Sequence, residues 1–126
     1  WKPGAGHQWN SDRKQTTVWN FDKPQRSSLH PTMKPIALMA YPISNSSTPG
    51  QIVVDLFSGS GSTLMACQQI DRICHAMDID PRYVTATILR YKTMFPTQPI
   101  CLVREGRQLS VEETAAVLAA KYKALQ

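Results

Sequence analysis

The sequence predicts an α/β fold of three layers, in which helices cover a small parallel sheet. From residue 36 onward, stretches with helical periodicity alternate with short apolar runs, in the order helix, strand, helix, strand, helix, strand, helix. Alternation at this spacing is typical of right-handed crossovers between parallel strands. The length of 126 residues fits one domain that can bury its own core. Three strands make a small sheet, which looks like half of a larger one.

The N-terminal segment, residues 1–29, is polar, basic and aromatic. Residues 15–21 are predicted to form one strand, because β-branched and aromatic residues dominate there. Residues 1–34 hold six Lys and Arg against two Asp, so most of the net charge of +5 lies in this part of the chain. Such a segment attracts a phosphate backbone, although a solvated basic face would have the same composition. The candidate nucleic-acid contacts are Arg13, Lys14, Lys23 and Arg26.

The first helix is predicted to begin at Pro35, where a missing N–H costs nothing. Ile36, Met39 and Ile43 recur at helical spacing after it. Pro42 removes a backbone hydrogen bond and crowds the preceding turn. We therefore expect this helix to stop or kink near Tyr41, before a loop over residues 44–50.

Strands and helices then alternate to the end of the chain. Apolar runs predict strands over residues 51–57, about 74–79 and 100–103, and a glycine turn over residues 58–62 leads into a helix over about 63–70. The next helix has one apolar stripe, formed by Val84, Ile88, Tyr91 and Phe95. The last helix opens with a capping box between Ser110 and Glu113. Its apolar stripe consists of Val111, Ala115, Leu118, Tyr122 and Leu125.

Two strand ends carry the chemistry of a ligand site. Open α/β sheets bind ligands beyond the carboxyl ends of their strands. After the first strand, Gly59 and Gly61 permit a tight turn, and the next helix directs its free N–H groups toward an anion. After the second strand, Asp78 stands where an acidic side chain commonly binds ribose hydroxyls. Leu64 replaces the third glycine of a dinucleotide motif, which favours a mononucleoside such as S-adenosylmethionine over NAD.

Two runs of residues resemble a known family. They are His30-Pro31-Thr32-Met33-Lys34-Pro35 and Val54-Asp55-Leu56-Phe57-Ser58-Gly59-Ser60-Gly61-Ser62-Thr63. Their order is similar to that of the DNA N6-adenine and N4-cytosine methyltransferases of the permuted group, in which the catalytic motif precedes the cofactor motif. Asp78-Ile79-Asp80-Pro81-Arg82-Tyr83 and Thr17-Val18-Trp19 also resemble this family, so the likeness covers about residues 10–103. It implies a Rossmann-like methyltransferase fold, here partial, with the N-terminal strand as an extension.

The resemblance implies a role for each matching residue. Phe57, Gly59 and Gly61 would cradle the methionine part of S-adenosylmethionine, with Asp55 near its amino group. Thr32 and Lys34 would close over the same end, Asp78 would hold the ribose, and Ile79 would pack on the adenine. Ser58 and Thr63 complete the expected cofactor-binding set. Lys34 as a solvated lysine, Asp55 as a strand-end cap and Phe57 as a core residue are the alternatives.

The family's catalytic tetrapeptide is missing from this chain. The family clamps the target amine with a D/N/S-P-P-Y/F motif, and the sequence contains no Pro-Pro pair. Asp80-Pro81-Arg82-Tyr83 lies beside the expected ribose site, at the wrong edge of the pocket, so we assign no catalytic residue. The expected function is the cofactor-binding portion of a DNA methyltransferase. A non-catalytic nucleoside-binding module acting through partners, or a Rossmann-type dinucleotide-binding domain, is the alternative.

The expected organisation follows from these assignments. Residues 1–29 would end a DNA-recognition region, residues 30–105 would form the S-adenosylmethionine-binding domain, and residues 106–126 would form a C-terminal helix. Double-stranded DNA, a missing upstream catalytic half and a second copy of the chain are the expected partners. No apolar stretch is long enough to span a membrane, and the Cys and His residues lack metal-ligand spacing. A cytoplasmic protein of bacterial or phage origin, with reduced cysteines, is expected.

Overall fold

The computed structural model describes residues 4, 6, 9–12, 14–22 and 33–123. Its elements in chain order are α1 (Ile36–Ser46), β1 (Ile52–Asp55), α2 (Ser62–Gln69), β2 (Ile73–Ala76), α3 (Pro81–Met94), β3 (Val103–Arg104), β4 (Arg107–Gln108) and α4 (Val111–Lys123). β1 and β2 pair in parallel, with Ile52 beside Ile73 and Asp55 beside Ala76. No helix in these described ranges has the length and apolar character needed to cross a bilayer.

Helix α2 lies at the centre of the packing. Met65, Ala66 and Cys67 have no solvent-exposed surface, and α2 contacts both α1 and β2. Helix α3 packs beside it, where the Tyr91 hydroxyl donates to Gln68 Oε1 at 2.7 Å. The buried core is therefore the layer formed by these helices on one side of the short sheet.

The opposite face of the sheet is exposed. Ile52, Val54 and Ile73 each keep more than half of their surface in water, and Leu56 and Met77 continue this face beyond the strands. Side chains at alternate positions of a strand share one face of its sheet. An exposed apolar surface of this kind is typical of an interface.

The third predicted strand is wrong as a member of the parallel sheet. Only Val103 of residues 100–103 is in a strand, and β3 pairs antiparallel with β4. The two residues between β3 and β4, Glu105 and Gly106, have φ of 52° and 77°. Positive φ at both central residues is the geometry of the tight hairpin turn. The chain therefore turns back on itself here instead of crossing to the edge of β2.

The predicted N-terminal strand is also wrong, since residues 14–22 contain no strand. This segment binds α1 through side chains. The amides of Gln15 and Asn45 exchange two hydrogen bonds of 3.1 and 2.7 Å, and Asn45 is 2% exposed. The ring of Trp19 meets that of Tyr41 edge to face, with centroids 5.0 Å apart. The N-terminal segment is therefore held on the fold by side-chain contacts with α1 and not by strand pairing.

Helix α1 was expected to stop or kink near Tyr41, and the stop is wrong, because the helix continues through Pro42 to Ser46. Proline costs a helix one backbone hydrogen bond, and tertiary packing outweighs such a local preference. Here α1 packs along α2 and also binds the N-terminal segment through Tyr41 and Asn45. Tertiary contacts therefore hold the helix both before and after the proline.

The C-terminal helix α4 forms with its predicted cap. Ser110 Oγ accepts from the backbone N–H of Glu113 at 3.1 Å, and Glu113 Oε2 accepts from that of Ser110 at 2.8 Å. The predicted stripe is partly wrong, because Val111 is 81% exposed while Thr114 and Leu118 are buried. The helix packs on α3 through this rotated face. Leu125 and the side chain of Tyr122 lie outside the described part of the chain.

Candidate functional site

A tight glycine turn follows β1. Gly59 and Gly61 have φ of 52° and 73°, in the left-handed region that glycine adopts without strain. The N–H of Gly61 donates to the Ser58 carbonyl at 2.8 Å, and the N–H of Ser58 donates to the Met77 carbonyl at 3.0 Å. The turn thus stays bonded to the extension of β2 and ends at the first residue of α2.

Asp78 connects this turn to the end of β2. Its Oδ2 accepts from the N–H of Gly59 at 2.7 Å, and its Oδ1 accepts from the N–H of Asp80 at 2.9 Å. A carboxylate has about four acceptor positions, so each oxygen keeps capacity for a further donor. Asp78 therefore fixes two loops and retains the ability to bind a hydroxyl.

Helix α3 supports the turn from behind. A Cβ on Gly61 would lie 2.5 Å from Thr87 Cγ2, so only glycine fits this contact. The Thr87 hydroxyl donates to the Gly59 carbonyl at 3.0 Å. Two features therefore demand glycine at position 61, its backbone conformation and the approach of α3.

Arg90 connects α3 to the opening of α1. Its Nη1 donates to the Ser60 carbonyl at 2.8 Å and to Ser62 Oγ at 3.2 Å, and Ser62 Oγ donates to the Lys34 carbonyl at 2.9 Å. Burial lowers the pKa of the Arg90 guanidinium. The contacts join three segments that are distant in sequence into one support.

A cavity of about 330 Å³ opens above the turn. It is lined by Lys34, Met39, Asp55, Phe57, Ser58, Gly59, Ser60, Ser62 and Thr63. The first two residues of α2 lie in its wall, so the positive end of that helix faces the space. Asp55 Oδ1 accepts from the N–H of Phe57 at 3.0 Å, and this contact orients the carboxylate at the end of β1. The cavity thus combines an anion-attracting helix end with one carboxylate and one lysine.

The structure places six of the expected cofactor-binding residues at this cavity: Lys34, Asp55, Phe57, Ser58, Gly59 and Thr63. Gly61 lies behind the turn against Thr87, and Asp78 lies behind Gly59. Ile79 is 98% exposed, and Phe57 at 88% exposed is not a core residue. Asp55 caps the end of β1, which was the alternative to a role in cofactor binding, and it also lines the cavity. Thr32 lies outside the described residues.

Three of the four expected nucleic-acid contacts, Arg13, Lys23 and Arg26, lie outside the described residues. Lys14 is described, and it is exposed on the N-terminal segment, where its backbone N–H donates to Asp12 Oδ1 at 2.6 Å.

Several site residues had no sequence assignment. Met39, Ser60 and Ser62 line the cavity, and Thr87 and Arg90 support it from α3. The serines stand within the glycine run, so their position was a usable signal. Thr87 and Arg90 are three residues apart on one helix, and no local pattern relates them to a turn almost 30 residues earlier.

Asp80 is occupied as the cap of α3. Its Oδ1 accepts from the N–H of Arg82 at 2.9 Å, and its Oδ2 pairs with the Arg82 guanidinium at 2.7 Å. The side-chain contact with Arg82 lowers the pKa of this carboxyl. Within the described ranges, no group of three or more His, Cys, Asp or Glu residues could hold a metal ion.

Comparison with solved structures supports this architecture. A structure of M1.HpyAVI in complex with SAM is 27% identical and superposes with a TM-score of 0.58, covering 69% of this chain and 45% of that one. The PvuII DNA methyltransferase, specific for cytosine N4, is 24% identical with a TM-score of 0.50, covering 76% of this chain and 28% of that one. The second likeness concerns the fold alone. The predicted Rossmann-like α/β class is confirmed.

Curated relatives are bacterial enzymes longer than this chain. The type II methyltransferase M.Cfr9I of Citrobacter freundii is 35% identical over 62% of this chain, and M.SmaI of Serratia marcescens is 32% identical over 58%. The chain spans 26% and 25% of these two proteins, about a quarter of their length. The model of the N6/N4 DNA methylase family matches residues 4–89, more than half of the chain. On this match, and in agreement with the resemblance of its glycine and HPTMKP runs, the chain belongs to the DNA methylase family.

Proposed function

We propose that this chain is the S-adenosylmethionine-binding portion of a DNA methyltransferase that modifies the exocyclic amine of adenine (N6) or cytosine (N4). The observation that carries the proposal is the cavity at the end of β1, where the glycine turn and the first residues of α2 form one wall. The solved relative with SAM bound supports the same cofactor for this chain. When bound, that cofactor would supply an electrophilic methyl group.

The methionine end of the cofactor suits this cavity. Its carboxylate would lie at the N-terminus of α2, where free N–H groups and the helix dipole favour negative charge. Its ammonium group would pair with Asp55, whose orientation is fixed by the N–H of Phe57. Lys34 lines the same space, and its backbone carbonyl accepts from Ser62 Oγ.

The nucleoside end would extend past the turn toward β2. Asp78 retains acceptor capacity beyond its bonds to Gly59 and Asp80, and ribose hydroxyls are donors that suit it. The exposed Ile79 offers an apolar surface for the adenine. These residues do not line the cavity, whose volume of about 330 Å³ is near the small end of the range for ligand pockets. The site would therefore be part cavity and part open surface.

Transfer of the methyl group requires residues that this chain does not contain. We infer that the amine-binding tetrapeptide and most of the recognition of double-stranded DNA come from the rest of the enzyme, since the chain spans about a quarter of its curated relatives. The exposed face of β1 and β2 supports an interface with that part, and a second copy of the chain is the alternative. Bacterial relatives and a DNA substrate support a cytoplasmic location. Arg13, Lys14, Lys23 and Arg26 are proposed to contact the phosphate backbone.

Calorimetric titration of the purified chain with S-adenosylmethionine tests the proposal. Asp78→Asn is expected to weaken binding about tenfold or more, the equivalent of one lost hydrogen bond to a charged group. Asp71→Asn is the matched control, because it removes the same charge from an exposed position at the other end of β2. Its binding should equal that of the unchanged chain.

Other results would contradict the assignment. A folded chain that does not bind S-adenosylmethionine, or that binds NAD more tightly, excludes this cofactor for the isolated chain. Equal weakening by Asp71→Asn and Asp78→Asn would mean that the effect is one of overall charge and not of ribose recognition. Circular dichroism of each variant establishes that the chain is folded in every titration.

A further inference from the structure

A second cavity lies on the N-terminal segment, and its described lining residues differ from those of the cavity at the glycine turn. It has a volume of about 310 Å³ and is lined by Trp9, Asp12, Gln15, Thr16, Thr17 and Trp19. Trp9 and Trp19 are 38% and 40% exposed, so a large part of each indole remains in contact with water. We call this cavity the tryptophan slot. The cofactor site uses none of its residues.

Both indole rings are held in place by the segment itself. Trp9 Nε1 donates to the Asp12 carbonyl and Trp19 Nε1 donates to the Thr16 carbonyl, each at 2.9 Å. Indole has a single hydrogen-bond donor, so each ring uses its polar edge internally. The part of each indole that is exposed to water therefore offers a ligand apolar surface.

The slot is also anchored to the folded body. Gln15 exchanges two amide hydrogen bonds with the buried Asn45 of α1, and the N–H of Asn10 donates to the Asn45 carbonyl at 2.8 Å. Trp19 packs edge to face on Tyr41. The arrangement of the two indoles is therefore set by contacts to α1 and does not depend on a ligand.

The chemistry of the slot fits a planar aromatic group with polar edges. Indole faces stack with such a group, and every nucleobase has a π-face. Asp12, Thr16 and Thr17 also line the slot. The Thr16 hydroxyl donates to the Val18 carbonyl and Asp12 Oδ1 accepts from the N–H of Lys14, so Asp12 and Thr16 keep acceptor positions for a base edge. Residues 1–34 are strongly basic, which complements a phosphate backbone next to the stacked base.

We propose that the tryptophan slot binds one unpaired nucleobase of a DNA strand. The proposal rests on the proposed DNA methyltransferase function, and it adds a base contact to a segment for which only phosphate contacts were expected. Stacking here would be tolerant of base identity, because the rings offer surface and few directional groups. The slot would thus hold a displaced base in place and would not read the sequence.

Fluorescence titration of the full chain with a short single-stranded oligonucleotide tests the slot. All three tryptophans of the chain lie in the N-terminal segment, so quenching of their emission reports binding there. Trp19→Leu is expected to weaken binding on the order of tenfold, the loss of one stacking partner. Trp19→Phe, which retains an aromatic face, should recover much of it. Val18→Ala is the control, since Val18 is an exposed neighbour outside the slot.

An abasic strand separates stacking from charge attraction. The unchanged chain should bind the abasic strand more weakly than the strand that carries bases. Trp19→Leu should bind the two strands with equal affinity. The difference between the two strands should persist as salt is raised, because salt weakens phosphate contacts and leaves stacking. Equal affinity for both strands by the unchanged chain would overturn the proposal. Binding of a free nucleoside with no gain from the strand would overturn its nucleic-acid part.

The cofactor titration distinguishes this proposal from the one on which it rests. Trp19→Leu should leave S-adenosylmethionine affinity unchanged, and Asp78→Asn should leave oligonucleotide quenching unchanged. If the unchanged chain binds S-adenosylmethionine but its tryptophan emission is not quenched by the oligonucleotide, the slot is refuted and the proposed function stands. Intact quenching without cofactor binding would do the reverse.

Discussion

Replacing Gly61 by alanine tests how the glycine turn is held against α3. The new Cβ would lie 2.5 Å from Thr87 Cγ2 and 2.9 Å from Thr87 Oγ1. The position also has a φ of 73°, which alanine adopts only with strain. Both effects act on the folded state, so we expect a marked loss of stability.

The two contributions have separate magnitudes. Left-handed backbone costs alanine about 1–2 kcal/mol, and forcing a methyl group into a packed contact costs about 1–3 kcal/mol. Reduced freedom of the unfolded chain returns about 0.4–1 kcal/mol. Gly61→Ala should therefore lower the free energy of unfolding by about 1–5 kcal/mol, a substantial part of the roughly 5–15 kcal/mol typical of a domain.

Gly50→Ala is the matched control. Its φ of 81° carries the same backbone strain, and no atom lies within 4 Å of its would-be Cβ. Urea denaturation followed by circular dichroism should show Gly61→Ala to be about 1–3 kcal/mol less stable than Gly50→Ala, the cost of the packed contact. The difference isolates the approach of α3.

A double-mutant cycle completes the assay. Thr87→Ala removes the two nearest atoms and leaves Thr87 Cβ at 3.1 Å from the new methyl group. In the Gly61→Ala background it should restore about 1–2 kcal/mol, although alone it destabilises the chain through loss of the bond to the Gly59 carbonyl. Equal stability of the Gly50 and Gly61 variants, with additive effects in the cycle, would refute the steric reasoning.

Four further experiments test other parts of the structure. Arg90→Met removes the donors to Ser60 and Ser62, so urea denaturation should show a free energy of unfolding lower by about 1–3 kcal/mol. Calorimetry should also show weaker binding of S-adenosylmethionine. Unchanged cofactor affinity would mean that Arg90 does not support the cofactor site. Ser110→Ala removes the cap of α4 and should cost about 1 kcal/mol, whereas the exposed Ser46→Ala should be nearly neutral. The exposed Cys101 should react with a thiol reagent at pH 8 well before Cys67 and Cys74, since burial raises the pKa of both, that of Cys74 to about 12. Because these folded pKa values exceed the unfolded ones, the stabilisation is complete below about pH 9 and is lost as pH rises toward 12, which urea midpoints across that range would show; a midpoint that rose with pH would contradict it.

Local patterns predicted the elements that depend on local chemistry. The capping box at Ser110 and the parallel strands around the glycine turn occur where periodicity and turn residues put them. The third parallel strand was predicted from the apolar run at residues 100–103. The prediction was wrong because Glu105 and Gly106 form a tight hairpin turn, and the apolar run was given more weight than this turn signal. The predicted end of α1 near Tyr41 was wrong because packing along α2 outweighs the local effect of Pro42, and tertiary packing cannot be read from a local sequence pattern.

The candidate site shows the same division. The glycine run and Lys34 could be assigned to one pocket from motif order, and the structure brings them to one cavity. Arg90 and Thr87 could not be, because their contacts with the turn depend on how α3 crosses it. Gly61 was expected to cradle a ligand, and the structure places it against α3 and not among the residues that line the cavity.

The two hydrogen bonds of Asp78 have a thermodynamic consequence for ligand binding. They join the glycine turn and the loop before α3 within the folded chain, so both edges of the proposed nucleoside path are ordered before a ligand arrives. Preorganised sites bind with a smaller entropic loss, because loop ordering is not coupled to association. Binding of S-adenosylmethionine should then show a heat-capacity change that reflects the apolar surface it covers, without a contribution from loop folding. In Asp78→Asn that contribution should emerge, and the binding entropy should become more unfavourable.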